Sequence, residues 1–170
     1  MDCPSKLKIF SLNCAGISNK TPILYDICCV YDIVFLQETW ITPDNINFLK
    51  KVHPDFESYS ISAVSLEVPL VGRPHGGISC LWRKDLGIKF EIKTFDDPRL
   101  LGLTLEALNR SCLILSVYLP YFSTENYDEY LYYVGLISSI IEDCDYNDIM
   151  IVGDFNAIVG GPFYNEEESM

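Results

Sequence analysis

Ile149-Met150-Ile151-Val152-Gly153-Asp154-Phe155-Asn156-Ala157 joins four apolar residues to a polar cluster with no intervening loop. The apolar run is short and rich in branched side chains, which predicts a strand buried on both faces. Asp154 and Asn156 then fall two residues apart at the strand's carboxyl end, where open α/β sheets commonly hold ligands. The same Gly-Asp-x-Asn pattern also suits a simple strand-ending turn, because Gly, Asp and Asn all favour turns. The remaining segments have to choose between these readings.

Upstream, Lys6 to Asn13 alternates apolar and polar residues and ends in Asn13-Cys14-Ala15-Gly16, a strand running into a loop. Thr21-Pro22 supplies a helix start, followed by Ile23, Leu24, Ile27, Cys28 and Tyr31 at helical spacing. Asp32 to Glu38 is a second apolar strand with a polar end. Strand, helix and strand make a βαβ-like unit with Asn13 and Glu38 at equivalent ends. Thr42-Pro43-Asp44 with Ile46, Leu49 and Val52 predicts a short helix, and Tyr59, Ile61 and Ala63 alternate as a strand. Val64 to Gly77 is the longest irregular segment; it is rich in Gly and Pro and carries Arg73 and His75. Strands are then expected over Ile78–Trp82, Ile88–Ile92, Leu101–Leu108 and Cys112–Tyr118, with a hairpin turn at Asn109-Arg110. Consecutive strands of this kind imply a partly antiparallel, mixed sheet system. Ser123 or Thr124 caps a further helix with Leu131, Val134, Ile137, Ile140 and Ile141 on one face.

The chain has 170 residues, 49% hydrophobic and 21% charged, which is the balance of a globular protein with a proper core. The expected organisation is one domain over residues 1–160 and a disordered acidic tail over 161–170. No run is long enough for a membrane span, and no secretion signal opens the chain. Its seven cysteines form no Cys-x-x-Cys pair and read as reduced core residues of an intracellular protein, nuclear or cytoplasmic. A net charge of −12 argues against nucleic-acid partners, since phosphate binding leaves a basic footprint. A local basic groove or a bound metal ion offsets that argument.

Asn13, Glu38, Tyr118, Asp154 and Asn156 each follow an apolar run. If they face one another, two carboxylates with nearby amides suit a hard, oxygen-preferring cation such as Mg²⁺, which keeps waters and shares a substrate phosphate. One carboxylate would then be free to position or deprotonate an attacking water.

Ser11-Leu12-Asn13-Cys14-Ala15-Gly16, Phe35-Leu36-Gln37-Glu38-Thr39-Trp40, Arg73-Pro74-His75-Gly76-Gly77-Ile78, Val117-Tyr118-Leu119-Pro120 and Val152-Gly153-Asp154-Phe155-Asn156 stand in the order of an established superfamily. In this the chain resembles the endonuclease/exonuclease/phosphatase superfamily, and most of all the endonuclease domain of non-LTR (LINE-type) retrotransposons. The resemblance covers Lys6 to about Gly160. It implies a four-layer α/β sandwich with two mixed β-sheets (DNase I-like) that cleaves phosphodiester bonds in DNA with Mg²⁺ or Mn²⁺. It further implies Glu38 as metal ligand, Asn13 as support for the metal and phosphate, Tyr118 beside the scissile phosphate, Asp154 activating water and Asn156 as its companion. Arg73 is a candidate phosphate contact.

Two departures qualify the resemblance. Ala15 stands where relatives active on abasic DNA often carry an acid, which fits the retrotransposon branch. The superfamily also closes with a Ser-Asp-His segment that has no counterpart before Met170. The expectation is therefore a C-terminally truncated domain without its closing strands, feebly active or inactive, with an uncovered sheet prone to self-association. His53, read as an exposed turn residue, and His75, in the glycine-rich loop, are not replacements. A non-catalytic remnant serving as an interaction module, and a phosphatase of the same superfamily, are the alternatives.

Overall fold

In a computed structural model of the chain, residues 6–64, 72–107 and 109–157 are described. The expectations for the acidic tail and for residues 65–71 of the Val64–Gly77 loop lie outside those residues. Strands β1 (Ile9–Asn13), β2 (Ile33–Gln37), β3 (Phe56–Ile61) and β4 (Ile78–Arg83) form one sheet in the order β1-β2-β4-β3. Strands β5 (Lys89–Thr94), β6 (Leu100–Ala107), β7 (Arg110–Tyr118) and β8 (Asp148–Asp154) form a second, in sequence order. Both sheets are mixed: β1 and β2 are parallel and joined through helix α1 (Thr21–Val30), while β7 and β8 are parallel and joined through helix α2 (Tyr127–Glu142). All other pairings are antiparallel.

Three apolar clusters hold these elements. Leu24 and Cys28 of α1 pack with Val34, Leu36 and Leu81 on the first sheet. Ile33, Phe35, Ile78 and Cys80 meet Leu101, Leu103, Leu105 and Ile114 of the second sheet. Leu113, Leu115 and Val117 pack under Tyr133, Ile137 and Ile140 of α2. The five residues of β2 are all buried, as a continuous apolar run predicts for a strand covered on both faces.

The opening stretch behaves differently. Among the described residues β8 is an edge strand, and Met150 is 44% exposed, so burial on both faces does not hold there. An apolar run shows that a strand is covered somewhere; its place in the sheet is a tertiary outcome. The predicted helix over Thr42–Val52 is instead two 3₁₀ turns, Pro43–Asn45 and Phe48–Lys51. In α2 the buried residues are Tyr133, Ile137 and Ile140, whereas Leu131, Val134 and Ile141 are largely exposed. Hydroxyl chemistry explains part of that rotation, because the Tyr133 phenol donates to Asp97 Oδ2 at 2.9 Å and anchors the helix to the β5–β6 connection. Neither Ser123 nor Thr124 caps α2; Asn126 holds that position, and Ser123 Oγ accepts the Asn126 N–H.

Burial and the Asp97 carboxylate push the Tyr133 phenol up to about 12, with Arg99 opposing them. A phenol with a raised folded-state pKa contributes stability that is whole below its unfolded value, about 10, and is lost as pH rises through the folded value. Denaturant titrations are therefore expected to show stability falling between pH 10 and 12, and Tyr133→Phe should flatten part of that fall. Parallel curves for the two proteins would contradict the Asp97 contact.

His53 is not an exposed turn residue. It is buried, stacks on Tyr25 at 4.7 Å, meets Phe56 edge-on and accepts the Asp55 N–H at Nδ1. The six described cysteines are free, and burial raises the thiols of Cys14 and Cys28 to about 11, which keeps them protonated and inert. Among the described residues no helix is long and apolar enough to cross a membrane.

Candidate active site at the carboxyl ends of four strands

The parallel register of β1 with β2 places Asn13 beside Gln37, one residue before Glu38, and that of β7 with β8 places Tyr118 beside Asp154. Two pairs of strand ends thus lie one on each sheet. Side chains then join the sheets across their seam. Asn13 Nδ2 donates to Asp154 Oδ2 at 2.8 Å, and the Tyr118 hydroxyl donates to Glu38 Oε1. All four residues are partly buried, which leaves them open to a substrate while strengthening the electrostatics between them.

Each group is oriented by a second contact. Asn13 Oδ1 accepts the Ala15 N–H at 3.0 Å, which settles the amide's direction. Asp154 Oδ1 accepts the backbone N–H of Asn156 at 3.0 Å, so both carboxylate oxygens are held. The Asn156 side chain turns away from the carboxylate and donates to Leu119 O at 2.8 Å, clamping the segment after β7. Desolvation, with the Glu38 hydrogen bond and charge, pushes the Tyr118 phenol up to about 12, so it remains a donor at neutral pH. Arg99, stacked on the Tyr118 ring at 5.2 Å, opposes that shift.

The backbone bends sharply here. Ala15, Glu38, Trp40 and Asn156 all have positive φ, 41°, 52°, 57° and 47°. Such conformations persist for L residues only where the surroundings over-determine them, and they concentrate at functional sites. The surroundings are visible: Gly16 N–H donates to Glu38 O, Ile17 N–H to Thr39 O, and Thr39 and Trp40 N–H to Gly77 O and Gly76 O. Gly153 has a different role. With φ at 136° it lies opposite Val117, and a Cβ there would fall 2.0 Å from Val117 O.

Gln37, named in the sequence only as part of a motif, proves structural. It is fully buried and donates through Nε2 to Ser116 Oγ at 2.9 Å and Ser11 Oγ at 3.2 Å, a polar bridge between the sheets directly below Glu38. A glutamine closing an apolar strand was the available signal; its partners lie on other strands. Arg99 gave no local signal at all, since its neighbours Tyr118 and Tyr133 are brought to it by folding. Arg73 does not meet the cluster. Its guanidinium lies 4.2 Å over the Trp40 ring, beside a cavity of about 500 Å³ that Thr39 and Trp40 also line.

A hard divalent cation fits this donor set in one manner. Glu38 has one carboxylate oxygen with no hydrogen bond among the described residues, while both oxygens of Asp154 are engaged. No group of three His, Cys, Asp or Glu side chains gathers among the described residues, so a closed protein cage is not formed. Mg²⁺ typically uses one or two carboxylates and completes its shell with water and substrate phosphate, which one carboxylate oxygen without a hydrogen bond suits.

This arrangement, two mixed sheets whose strand ends carry a shared polar cluster, is a DNase I-like α/β fold. No protein-family profile and no curated protein matches the chain in sequence. Solved structures match it in shape. A humanised D. rerio TDP2 superposes with a TM-score of 0.66 at 19% identity, covering 92% of this chain and 69% of that one. The Neisseria 3′ phosphatase NExo, solved with a product DNA hairpin, gives 0.61 at 15% identity, over 89% of this chain and 58% of that one. The Xenopus laevis APE2 catalytic domain gives 0.62 at 17% identity, over 89% and 59%. These neighbours belong to the endonuclease/exonuclease/phosphatase superfamily, and the chain spans roughly three-fifths to two-thirds of their lengths.

Proposed function

We propose that the chain is a phosphodiesterase domain that hydrolyses DNA with Mg²⁺ or Mn²⁺, of the LINE-type endonuclease branch. The observation that carries this reading is the pair of hydrogen bonds across the seam, Asn13 to Asp154 and Tyr118 to Glu38, at the ends of four strands. TDP2 solved with a single-strand DNA product and NExo solved with a DNA hairpin support a nucleic-acid substrate. The ordered motifs, with Ala15 in place of an acid, support the retrotransposon branch.

In this reading the Glu38 carboxylate would hold the cation, and Asn13 would support the metal and phosphate end of the site through its bond to Asp154. When bound, the cation supplies positive charge that neutralises the phosphate and the charge developing on it. Asp154, held by two donors, accepts a proton from the attacking water as the water oxygen bonds to phosphorus. The ester P–O bond breaks, and the leaving oxygen takes a proton from solvent. Tyr118 keeps its proton and orients Glu38. Neither described histidine hydrogen-bonds any of these residues, so nicking by this chain is expected to be slow.

The test is conversion of supercoiled plasmid to open circles with Mg²⁺ and with EDTA. Slow nicking confined to Mg²⁺ or Mn²⁺ is expected; its absence at high enzyme concentration overturns the proposal. Hydrolysis of a small phosphate ester without nicking would move the chain to the phosphatase branch.

One observation favours a second, non-catalytic role. Both strands at the seam's edge expose apolar side chains, Leu12 on β1 at 39% and Met150 on β8 at 44%. Apolar side chains exposed on the end strands of both sheets favour association, and an interaction module that self-associates would use them. Light scattering across a concentration series tests it, with a strictly monomeric protein as the contrary outcome. The free thiols fit a reducing, intracellular setting for either role.

A further inference from the structure

The cavity beside Trp40 is not used by the chemistry above. Its walls continue the two loops that carry the site: Ile17 follows the Asn13 loop, and Thr39, Trp40 and Ile41 follow Glu38. Its occupant would therefore sit next to a phosphate held at the strand ends. Phe48 and Pro74 complete an apolar lining, and about 500 Å³ lies within the usual range of small-ligand pockets, about 300–1,000 Å³.

Two features go beyond an apolar hollow. Glu38 and Trp40, on either side of Thr39, both hold positive φ, so the wall is shaped at a conformational expense. Arg73, exposed and in no ion pair with a described carboxylate, holds its guanidinium 4.2 Å over the Trp40 ring. A guanidinium plane backed by an indole is a stacking platform with hydrogen-bond donors at its rim.

We propose that this cavity is a base-binding subsite that takes one unpaired nucleobase of single-stranded DNA, next to the phosphodiester held at the strand ends. The inference rests on the hydrolytic reading of that site. A flat heterocycle matches apolar walls with a few edge donors and acceptors, and it stacks on the Arg73–Trp40 pair. A base inside a duplex is stacked on both faces and cannot enter a cavity without leaving the helix, so the subsite favours unpaired strands. The protein's charge makes such a subsite useful. At −12, the chain gains little from tracking phosphates, and burial of a base supplies affinity that does not depend on a basic surface.

Fluorescence anisotropy in EDTA, where no cleavage occurs, tests this with three labelled oligonucleotides of equal phosphate count: a single strand, a blunt duplex, and a single strand of abasic units. The single strand should bind about tenfold more tightly than either of the others, the scale of one base stacked on aromatic and arginine planes. Ser18 lines the cavity and is exposed, so Ser18→Phe fills the space without disturbing the core and should erase the preference. Arg73→Lys keeps the charge and loses the plane, and should remove part of it. Equal binding of the abasic strand, an undiminished preference in Ser18→Phe, or binding to none of the three overturns the subsite. A preference without Mg²⁺-dependent nicking would leave the subsite standing and sink the hydrolytic reading; nicking without a preference would do the reverse.

Discussion

Asp154→Asn is expected to lower the rate of plasmid nicking about 10²–10⁴-fold, the range lost when a positioned general base is removed. The physical argument is specific to its contacts. Asp154 accepts from Asn13 Nδ2 and from the Asn156 N–H, so an amide at this position has one acceptor oxygen for two donors and turns its NH₂ group toward one of them. The substitution removes the base and loosens Asn13 at once. Glu38→Gln acts on the other pair: it removes the charge that would hold the cation and weakens the acceptor of the Tyr118 phenol. It should require more Mg²⁺ for the same rate, a shift that Asp154→Asn should not produce. Because the two pairs serve one reaction, the double variant should be little worse than the poorer single one. Circular dichroism establishes that the variants fold. A folded Asp154→Asn protein that keeps more than about a tenth of the rate would remove Asp154 from the chemistry.

Gly153→Ala is expected to cost about 3–5 kcal/mol of stability, combining a backbone conformation strained for an L residue with a steric clash that neither strand relieves. The new Cβ would meet backbone, Val117 O at 2.0 Å and Val117 N at 2.8 Å, and backbone cannot rotate away as a side-chain tip does. In a chain of this length that corresponds to a fall in Tm of about 6–20 °C. The site should suffer too, since Asp154 follows directly and pairs with Tyr118 in the register. Thermal unfolding followed by circular dichroism measures the shift. A loss below about 1 kcal/mol would mean that β8 slides freely on β7 and that the close approach at Gly153 is not required.

Gly153 also marks the boundary between what could be read in advance and what could not. Its presence between an apolar run and Asp154 signalled a strand end, and the strand is there. The reason for a glycine is the carbonyl of Val117, thirty-six positions earlier in the chain. Gln37 follows the same logic. Its place after four apolar residues of β2 announced a polar strand end, yet its partners Ser11 and Ser116 lie on two other strands, one of them in the opposite sheet. The prediction for β2 succeeded because a strand covered on both faces has an apolar residue at almost every position. The prediction for β8 failed in burial although its sequence is as apolar, because position in the sheet is not encoded in the run itself. In α2, spacing alone could not tell Leu131 and Val134 from the truly buried Tyr133, whose hydroxyl needed Asp97.

By itself, the sequence determined the alternation of strands and helices, the parallel β1–β2 unit with polar residues at its carboxyl ends, and the identity of Asn13, Glu38, Tyr118, Asp154 and Asn156 as candidates. Those are local properties: hydrophobic period, helix starts, and residue type at the end of a run. The tertiary structure alone decided that Asn13 holds Asp154, that Tyr118 holds Glu38, that His53 belongs to the core, and that Arg73 lies over Trp40 beside a cavity. Each of these depends on groups far apart in the chain meeting across the seam or over a loop, where hydrogen-bond geometry and steric fit operate over ångströms and leave no periodic trace in the sequence.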